Sequence, residues 1–138
     1  LNGNEENNDD LKKKIRKYNS NIKIFETYYV PNNLNKFDKT EKFLVFSGIG
    51  NPDSFKKTLI KNNLNIIEEL KFPDHHLYTS SDIIEIKSHA KKLNAKILTT
   101  EKDYIKIDQC HIDGIDFLEI DLIVKNEDEL INFIKSKI

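Results

Sequence analysis

FLVFSGIGNPDSFKKTLIKNNLNIIEELKFPDHH, residues 43–76, is the stretch from which the fold of this chain can be predicted. Residues 43–46 are all apolar, as in a strand that is buried on both faces. Gly48-Ile49-Gly50 then predicts a turn. Asn51-Pro52-Asp53 predicts a helix start, because Asn is a preferred N-cap, Pro fits the first helical position and an acid favours the positive helix end. Residues 66–72 predict a second strand.

The rest of the chain continues this alternation. Thr79 and Asp82 have the spacing of a capping box, which predicts another helix start. Residues 96–100 and 117–124 predict two more strands, and Asn126 is predicted to cap a final helix. Strands and helices that alternate with short links indicate an α/β layered domain with a mostly parallel sheet flanked by helices.

The segment before this domain is predicted to be a connector. Residues 5–18 have acids first and bases last, which suits a helix dipole, and residues 22–30 are rich in β-branched and aromatic residues. We therefore expect a helix and a strand within residues 1–41, and the α/β domain over residues 42–138.

Composition limits the classes of function. The chain has 138 residues, enough for one domain with its own core. Its 22 basic and 23 acidic residues give a net charge of −1, so nothing favours nucleic acid as a partner. No apolar run approaches the roughly 18–20 residues that cross a bilayer, and the polar start LNGNEENNDD is no signal peptide. We expect a soluble chain.

Three polar loops follow predicted strands: GIGNP at residues 48–52, PDHH at 73–76 and TTEKD at 99–103. The carboxyl ends of parallel strands meet at one edge of the sheet, and ligands bind outside that edge in such folds. We therefore expect the three loops to share one edge and to form the candidate site.

Each loop allows more than one interpretation. GIGNP is either a tight turn or an anion contact at a helix N-terminus. TTEKD is either an N-cap with a salt-bridged first turn or a loop whose Lys102 reaches a phosphate. Asp74-His75-His76 is the sharpest pattern, since packing does not call for adjacent histidines there and a carboxylate beside an imidazole can orient a proton acceptor.

Motifs that would complete a site are absent from the sequence. It has no G-x-x-x-x-G-K-[ST] loop for a triphosphate, no G-x-S-x-G elbow, no Cys-x-x-Cys pair and no H-E-x-x-H motif. The sequence alone therefore predicts half a site.

FSGIGNPDSF, FPDHHLY and LTTEKD, in this order and spacing, closely resemble the C-terminal domain of the tetraacyldisaccharide 4'-kinase (lipid A 4'-kinase) family. The resemblance is strong over residues 43–107. It implies the C-terminal half of a two-domain P-loop kinase of Gram-negative bacteria. Both domains of such a kinase are Rossmann-like, and the active site lies in the cleft between them.

The resemblance also implies an activity. The family transfers the γ-phosphoryl of ATP, with Mg²⁺, to the 4'-hydroxyl of tetraacyldisaccharide 1-phosphate and so makes lipid IVA. ATP and Mg²⁺ are held mainly by an N-terminal P-loop domain that is not in this sequence. The whole enzyme works at the cytoplasmic face of the inner membrane, which it contacts through that missing part.

The residue that the resemblance assigns to catalysis is His75, which matches a family histidine that pairs with an Asp of the N-terminal domain to activate the hydroxyl. Asp74 is expected to help fix the imidazole ring. Eight further residues are expected to line the cleft: Gly48, Gly50, Asn51, His76, Thr100, Glu101, Lys102 and Asp103. This chain lacks the P-loop, its Lys, the Mg²⁺ ligands and the partner Asp, so we expect no metal site in it and no catalysis by it alone.

Two alternatives remain open from the residues. Asp74, His75 and His76 could bind Mn²⁺ as in the Asp-His-His phosphoesterases, with Glu101 and Asp103 as the further carboxylates. The chain could also be a non-catalytic α/β module that binds a ligand or partner without chemistry.

Overall fold

The computed structural model describes residues 8–138, which form two compact units. One unit is Pro31–Ile120, and the other comprises the residues up to Val30 together with Asp121–Ile138. In chain order the elements are α1 (Asp9–Tyr18), β1 (Thr27–Pro31), β2 (Lys42–Ser47), α2 (Pro52–Lys61), β3 (Asn65–Lys71), α3 (Ser80–Leu93), β4 (Lys96–Thr100), α4 (Glu101–Tyr104), β5 (Ile115–Leu118), β6 (Ile120–Val124) and α5 (Glu127–Lys135). The predicted division into a connector and a domain at residue 42 stays a prediction.

The Pro31–Ile120 unit contains a parallel four-stranded sheet in the order β3-β2-β4-β5. The predicted α/β fold class is therefore confirmed. Strand β4 has the predicted bounds, and β2 and β3 differ from prediction by one or two residues. The register between β2 and β3 shifts between Phe43 and Leu44.

Strand β2 is the core of this unit, with every residue after Lys42 buried. Phe43 and Val45 belong to one apolar cluster, which includes the buried face of α2. Leu44 and Phe46 belong to a second cluster, which includes the buried face of α3. The two helices therefore cover opposite faces of the sheet, which explains why β2 is a continuous apolar run.

The starts of α2 and α3 follow the predicted capping chemistry. Asn51 caps α2, and its side chain accepts a hydrogen bond from the Ser54 backbone N–H at 3.1 Å. Thr79 and Asp82 form the predicted capping box of α3. Helix α3 ends at Asn94, whose left-handed backbone (φ 51°) is tolerated by Asn better than by most residues.

The single strand predicted over residues 117–124 is wrong. The structure has two strands there, β5 in the four-stranded sheet and β6 paired with β1 in a separate two-stranded sheet. Glu119 separates them, and its backbone N–H donates to the Asn33 side chain while its carbonyl accepts from Asn32 N–H. Residues 117–124 are mostly apolar, with only Glu119 and Asp121 as polar residues, so the sequence was interpreted as one strand.

The other unit contains α1, α5 and most of the two-stranded sheet. The rings of Phe25 and Phe133 lie 5.5 Å apart, and the Lys12 ammonium is 2.8 Å from the Glu26 carboxylate. The predicted strand over residues 22–30 is corrected, since β1 begins only at Thr27. The predicted helix over 5–18 is found as α1 from Asp9, and residues 5–7 lie outside the described part of the chain.

The predicted side-chain cap at Asn126 is also wrong. Its backbone is left-handed (φ 56°) and its side chain makes no capping hydrogen bond. The Asn126 carbonyl instead accepts from the backbone N–H groups of Glu129 and Leu130. Asn is a preferred N-cap residue, but at this position what matters is that Asn tolerates a positive φ, since its side-chain oxygen does not cap the helix.

Among residues 8–138, no helix combines the length and the apolar character needed to cross a bilayer.

The two faces of α3 give a stability prediction. Replacing Ile86, which is 1% exposed, with Ala is expected to lower the free energy of unfolding by about 2–5 kcal/mol, because it leaves a cavity in the core. Ile84→Ala on the same helix is the control, since Ile84 is 61% exposed and its loss should change stability by about 0.5 kcal/mol or less. Urea denaturation of the two variants measures this difference, and equal losses would contradict the assignment of the buried face.

Candidate functional site

The three loops predicted to share an edge of the sheet are in contact, and backbone hydrogen bonds join them. Phe72 N–H, after β3, donates to the Ser47 carbonyl at 2.9 Å, and His75 N–H donates to the Gly48 carbonyl at 3.1 Å. On the other side, Gly48 N–H donates to the Asp103 carboxylate at 3.0 Å. Since β2 lies between β3 and β4, its turn touches both neighbouring loops.

The two glycines of the GIGNP turn allow this close approach. A Cβ on Gly48 would lie 3.1 Å from each of three atoms, the His76 Cβ, the Pro73 carbonyl oxygen and the Tyr78 hydroxyl. A Cβ on Gly50 would meet only the Asp74 carboxylate, at 3.3 Å. Gly48 is therefore required by space in the turn, and Gly50 much less so.

His75 is one of the exposed residues of the predicted site, with a side chain 75% exposed. Its backbone is left-handed (φ 61°), and the other described residues with positive φ are all Asn or Gly. This conformation is uncommon for a residue with a Cβ and costs of order 1 kcal/mol, so the surrounding hydrogen bonds must hold it. The strained backbone directs an imidazole away from the sheet edge into solvent.

Asp74 holds the backbone of His75 rather than its ring. The Asp74 Oδ1 atom accepts a hydrogen bond from His75 N–H at 3.0 Å. The Asp74 Oδ2 atom is 3.7 Å from His75 Nε2, which is too long for a hydrogen bond. The expected bond between this carboxylate and the imidazole is therefore not formed in this structure.

His76 packs against two aromatic rings, which explains its position after β3 and was not predicted from the sequence. Its ring lies 4.8 Å from the Phe72 ring and 5.0 Å from the Tyr78 ring, measured between centroids. Its Nε2 is 3.1 Å from the Asp82 carboxylate in the capping box of α3. Because a carboxylate only accepts, this bond places a proton on Nε2. The two adjacent histidines therefore differ, one packed and one exposed.

The TTEKD segment forms the start of the short helix α4, as one of its two interpretations predicted. Thr100 is the N-cap, and its hydroxyl accepts from Asp103 N–H at 3.1 Å. Glu101 and Lys102 are exposed, and within residues 8–138 their side chains make no hydrogen bond or ion pair. Lys102 is therefore free to reach an anion outside this edge.

Asp103 and Tyr78 lie beneath the loops. Asp103 is fully buried, and Tyr78 has a buried hydroxyl that makes no hydrogen bond within the described residues. Burial, and then the negative charge of Asp103, hold the pKa of the Tyr78 phenol far above its usual value, so the hydroxyl stays protonated. Sequence reasoning did not single out Tyr78, and the only sign of it was an aromatic residue next to the histidines.

Metal binding finds no support in the described part of the chain. Within residues 8–138, no three or more His, Cys, Asp and Glu side chains are grouped so that they could hold a metal ion. Asp74, His75 and His76 are adjacent in sequence, but His76 Nε2 is directed to Asp82. The described residues therefore do not fit a Mg²⁺ or Mn²⁺ site.

What the arrangement offers is the exposed imidazole of His75 at an edge where three loops meet, with the ammonium of Lys102 at the start of α4, after β4. An imidazole can accept a proton from a hydroxyl near neutral pH, and an ammonium can contact a phosphate. The described residues contain no G-x-x-x-x-G-K-[ST] loop for a nucleotide.

Comparisons with known proteins agree on one family. A family model described as Tetraacyldisaccharide-1-P 4'-kinase matches residues 1–138. The tetraacyldisaccharide 4'-kinase of Pelagibacter ubique (strain HTCC1062) is 42% identical over 132 residues, which are 96% of this chain and 42% of that protein. The enzyme of the same name from Rickettsia typhi is 40% identical over 108 residues, 78% of this chain and 33% of that protein.

A solved structure is also similar. It is LpxK from Aquifex aeolicus in complex with ATP, with a TM-score of 0.49 and 20% sequence identity over 87% of this chain and 40% of that one. This chain thus spans less than half the length of the curated relatives that it matches.

The crowding at the GIGNP turn can be tested by substitution. Gly48→Ala is expected to destabilise the chain by about 1–3 kcal/mol, because the added methyl meets a backbone carbonyl and two side chains. Gly50→Ala is the matched control and should cost far less, since the exposed Asp74 carboxylate can move aside. Thermal or urea unfolding measures both, and a Gly50→Ala loss as large as that of Gly48→Ala would contradict this view of the turn.

The capping box of α3 predicts a pH dependence. Hydrogen bonds from the Thr79 N–H and hydroxyl, and then from His76, hold the pKa of Asp82 below its usual value. A depressed pKa in the folded state stabilises the fold at neutral pH, and this contribution is lost as the pH falls below the usual Asp value, about 3.9, through the folded value. Asp82→Asn should therefore cost about 0.5–1 kcal/mol at pH 7, and the difference from wild type should shrink in acid.

Urea denaturation at several pH values between neutral and acid measures this effect. Asp116→Asn is the control, since Asp116 is exposed on β5. The difference in the free energy of unfolding between this variant and wild type should not change with pH. A gap between wild type and Asp82→Asn that stays constant with pH would contradict the prediction.

Proposed function

Because the chain belongs to the tetraacyldisaccharide-1-phosphate 4'-kinase family, we propose that it is the C-terminal α/β domain of an ATP-dependent lipid A 4'-kinase. Support for a part rather than a whole comes from its length, since it covers 42% of the Pelagibacter ubique enzyme, and from the lack of any P-loop motif in its sequence. The proposal extends the family assignment to one role for this chain.

The proposed reaction is phosphoryl transfer to an alcohol. The 4'-hydroxyl oxygen of tetraacyldisaccharide 1-phosphate attacks the γ-phosphorus of ATP, the bond from that phosphorus to the ADP oxygen breaks, and the hydroxyl proton is taken by a base. Such transfer depends mainly on positioning and on charge stabilisation, with a group that orients the attacking hydroxyl. This division of labour suits a site with two walls from two domains.

His75 is proposed to be that group on this chain. The single observation that carries the proposal is its exposed imidazole on a left-handed backbone, held where the three loops meet. A structural histidine would gain nothing from such a strained and solvent-facing position, whereas a proton acceptor needs access to its substrate. The carboxylate that pairs with it would come from the N-terminal domain.

The other predicted residues take supporting roles in this proposal. Asp74 holds the His75 backbone, and Lys102 is available to contact a phosphate of the substrate or nucleotide. Gly50, Asn51, Thr100 and Glu101 lie at or near the same edge as cleft-lining candidates. We assign ATP and Mg²⁺ to the N-terminal P-loop domain, because the described residues of this chain do not fit a metal site.

The partners follow from the chemistry of the substrate. A tetraacylated acceptor resides in a membrane, so we place the whole kinase at the cytoplasmic face of the inner membrane, bound through its other domain. The family match gives no support to the two alternatives, a metal-dependent phosphoesterase and a non-catalytic binding module.

The test uses the full-length protein that contains this chain, assayed for transfer of labelled phosphate from ATP to tetraacyldisaccharide 1-phosphate. His75→Asn removes the base, but Asn tolerates a left-handed backbone and should keep the loop in place. We expect kcat to fall by about 10²–10⁴-fold, the usual contribution of general acid–base catalysis, with the KM for ATP unchanged.

His89→Asn on α3 is the matched control and should keep the wild-type rate. The 138-residue chain alone, in the same assay, should transfer no phosphate. Wild-type kcat in His75→Asn would contradict the role of His75, and turnover by the isolated chain would contradict the division of the site between two domains.

A further inference from the structure

The carboxylate of Asp103 accepts three hydrogen bonds at the candidate site, although no part of it is exposed. One oxygen accepts from Gly48 N–H at 3.0 Å and from the Thr100 hydroxyl at 2.7 Å. The other accepts from the Lys106 ammonium at 2.9 Å. A fully buried carboxylate cannot contact a ligand in the cleft, so any role of Asp103 must act through the groups that are hydrogen-bonded to it.

One of those partners leads to His75. The Gly48 amide that donates to Asp103 lies in the GIGNP turn, and the carbonyl of the same residue accepts from His75 N–H at 3.1 Å. A single residue thus connects the buried carboxylate to the backbone of the exposed histidine. This connection spans all three loops, from β4 across β2 to the segment after β3.

We propose that Asp103 is a positioning residue for the phosphoryl transfer, which holds His75 in its left-handed, solvent-facing conformation through the backbone of Gly48. The inference rests on the function proposed for His75. It names a second residue of this chain that the reaction requires, one that acts without contact with substrate.

The energetics favour this role over simple stabilisation. A buried carboxylate pays a large desolvation penalty, and an ion pair such as that with Lys106 often only offsets it. An apolar residue would avoid that penalty, but it could not accept from the Gly48 N–H, which would then be buried without a partner. What the carboxylate adds is a fixed position for the N–H of Gly48, the residue whose carbonyl accepts from His75 N–H.

Space around Gly48 reinforces that direction. The Tyr78 hydroxyl and the Pro73 carbonyl both lie within 3.1 Å of the position that a Gly48 Cβ would take. The Gly48 backbone therefore has little room for another conformation while the loop is closed. A weakened bond to Asp103 should loosen the His75 segment rather than move it to a second well-packed position.

The experiment compares two double variants of the 138-residue chain, Asp103→Asn with Lys106→Met and Asp103→Ala with Lys106→Met. Both remove the ion pair, so neither leaves a lone buried charge. Only the Asn variant keeps an oxygen that can accept from Gly48 N–H. Any difference between the two therefore reports on the side-chain amide, whose oxygen can accept from Gly48 N–H and from the Thr100 hydroxyl, and not on the lost charges.

The first readout is native-state hydrogen exchange of single backbone amides. In the Ala variant the amides of Gly48 and His75 should exchange about tenfold faster than in the Asn variant, after correction by the amide of Leu98 in the central sheet. A general loss of stability would speed all three amides alike. Equal corrected exchange in the two variants would overturn the proposal.

The second readout is kinase activity of the full-length protein with the same substitutions. The Ala variant should have a kcat about tenfold or more below that of the Asn variant, at an equal KM for ATP. If His75→Asn lowers kcat but the two double variants exchange and turn over alike, the role of Asp103 is wrong and that of His75 stands. If the exchange differs but His75→Asn keeps full activity, the proposed function of His75 fails, and with it the catalytic part of this inference.

Discussion

The constraint on which the rest of the structure depends is the burial of β2 between two strands and two helices. Both faces and both edges of β2 are covered, so beyond Lys42 the first polar residues that can reach solvent are those that follow its carboxyl end. That end is flanked by the ends of β3 and β4, which run in the same direction. The meeting of three loops is therefore a result of parallel pairing, and the polar residues at that edge follow from it.

Much of this arrangement could be predicted from the sequence, since the relevant features are local. The buried strand, the Asn51 cap, the capping box of Thr79 and Asp82, and the bounds of β4 each rest on a few consecutive residues. Once the strands were known to be parallel, the shared edge of the three loops followed from topology.

The features that could not be predicted depend on residues far apart in the chain. The break at Glu119 is set by hydrogen bonds to residues 32 and 33, and nothing near Glu119 in sequence announces it. In the sequence, His76 had no packing reason next to His75, because its contacts with the rings of Phe72 and Tyr78 form only in the folded chain. Asp103 was expected to line the cleft but is fully buried, and only the folded chain brings the Gly48 N–H to it.

The left-handed backbone at His75 limits which chemistry this position can adopt. Gly, Asn, Asp and His are the residues that enter this conformation most readily, and β-branched or bulky residues are strongly disfavoured. Of these four, His is the one whose side chain changes charge near neutral pH. A steric requirement and an acid–base requirement are thus both met by a single amino acid. Most substitutions of His75 would therefore lose either the left-handed loop conformation or the titratable side chain.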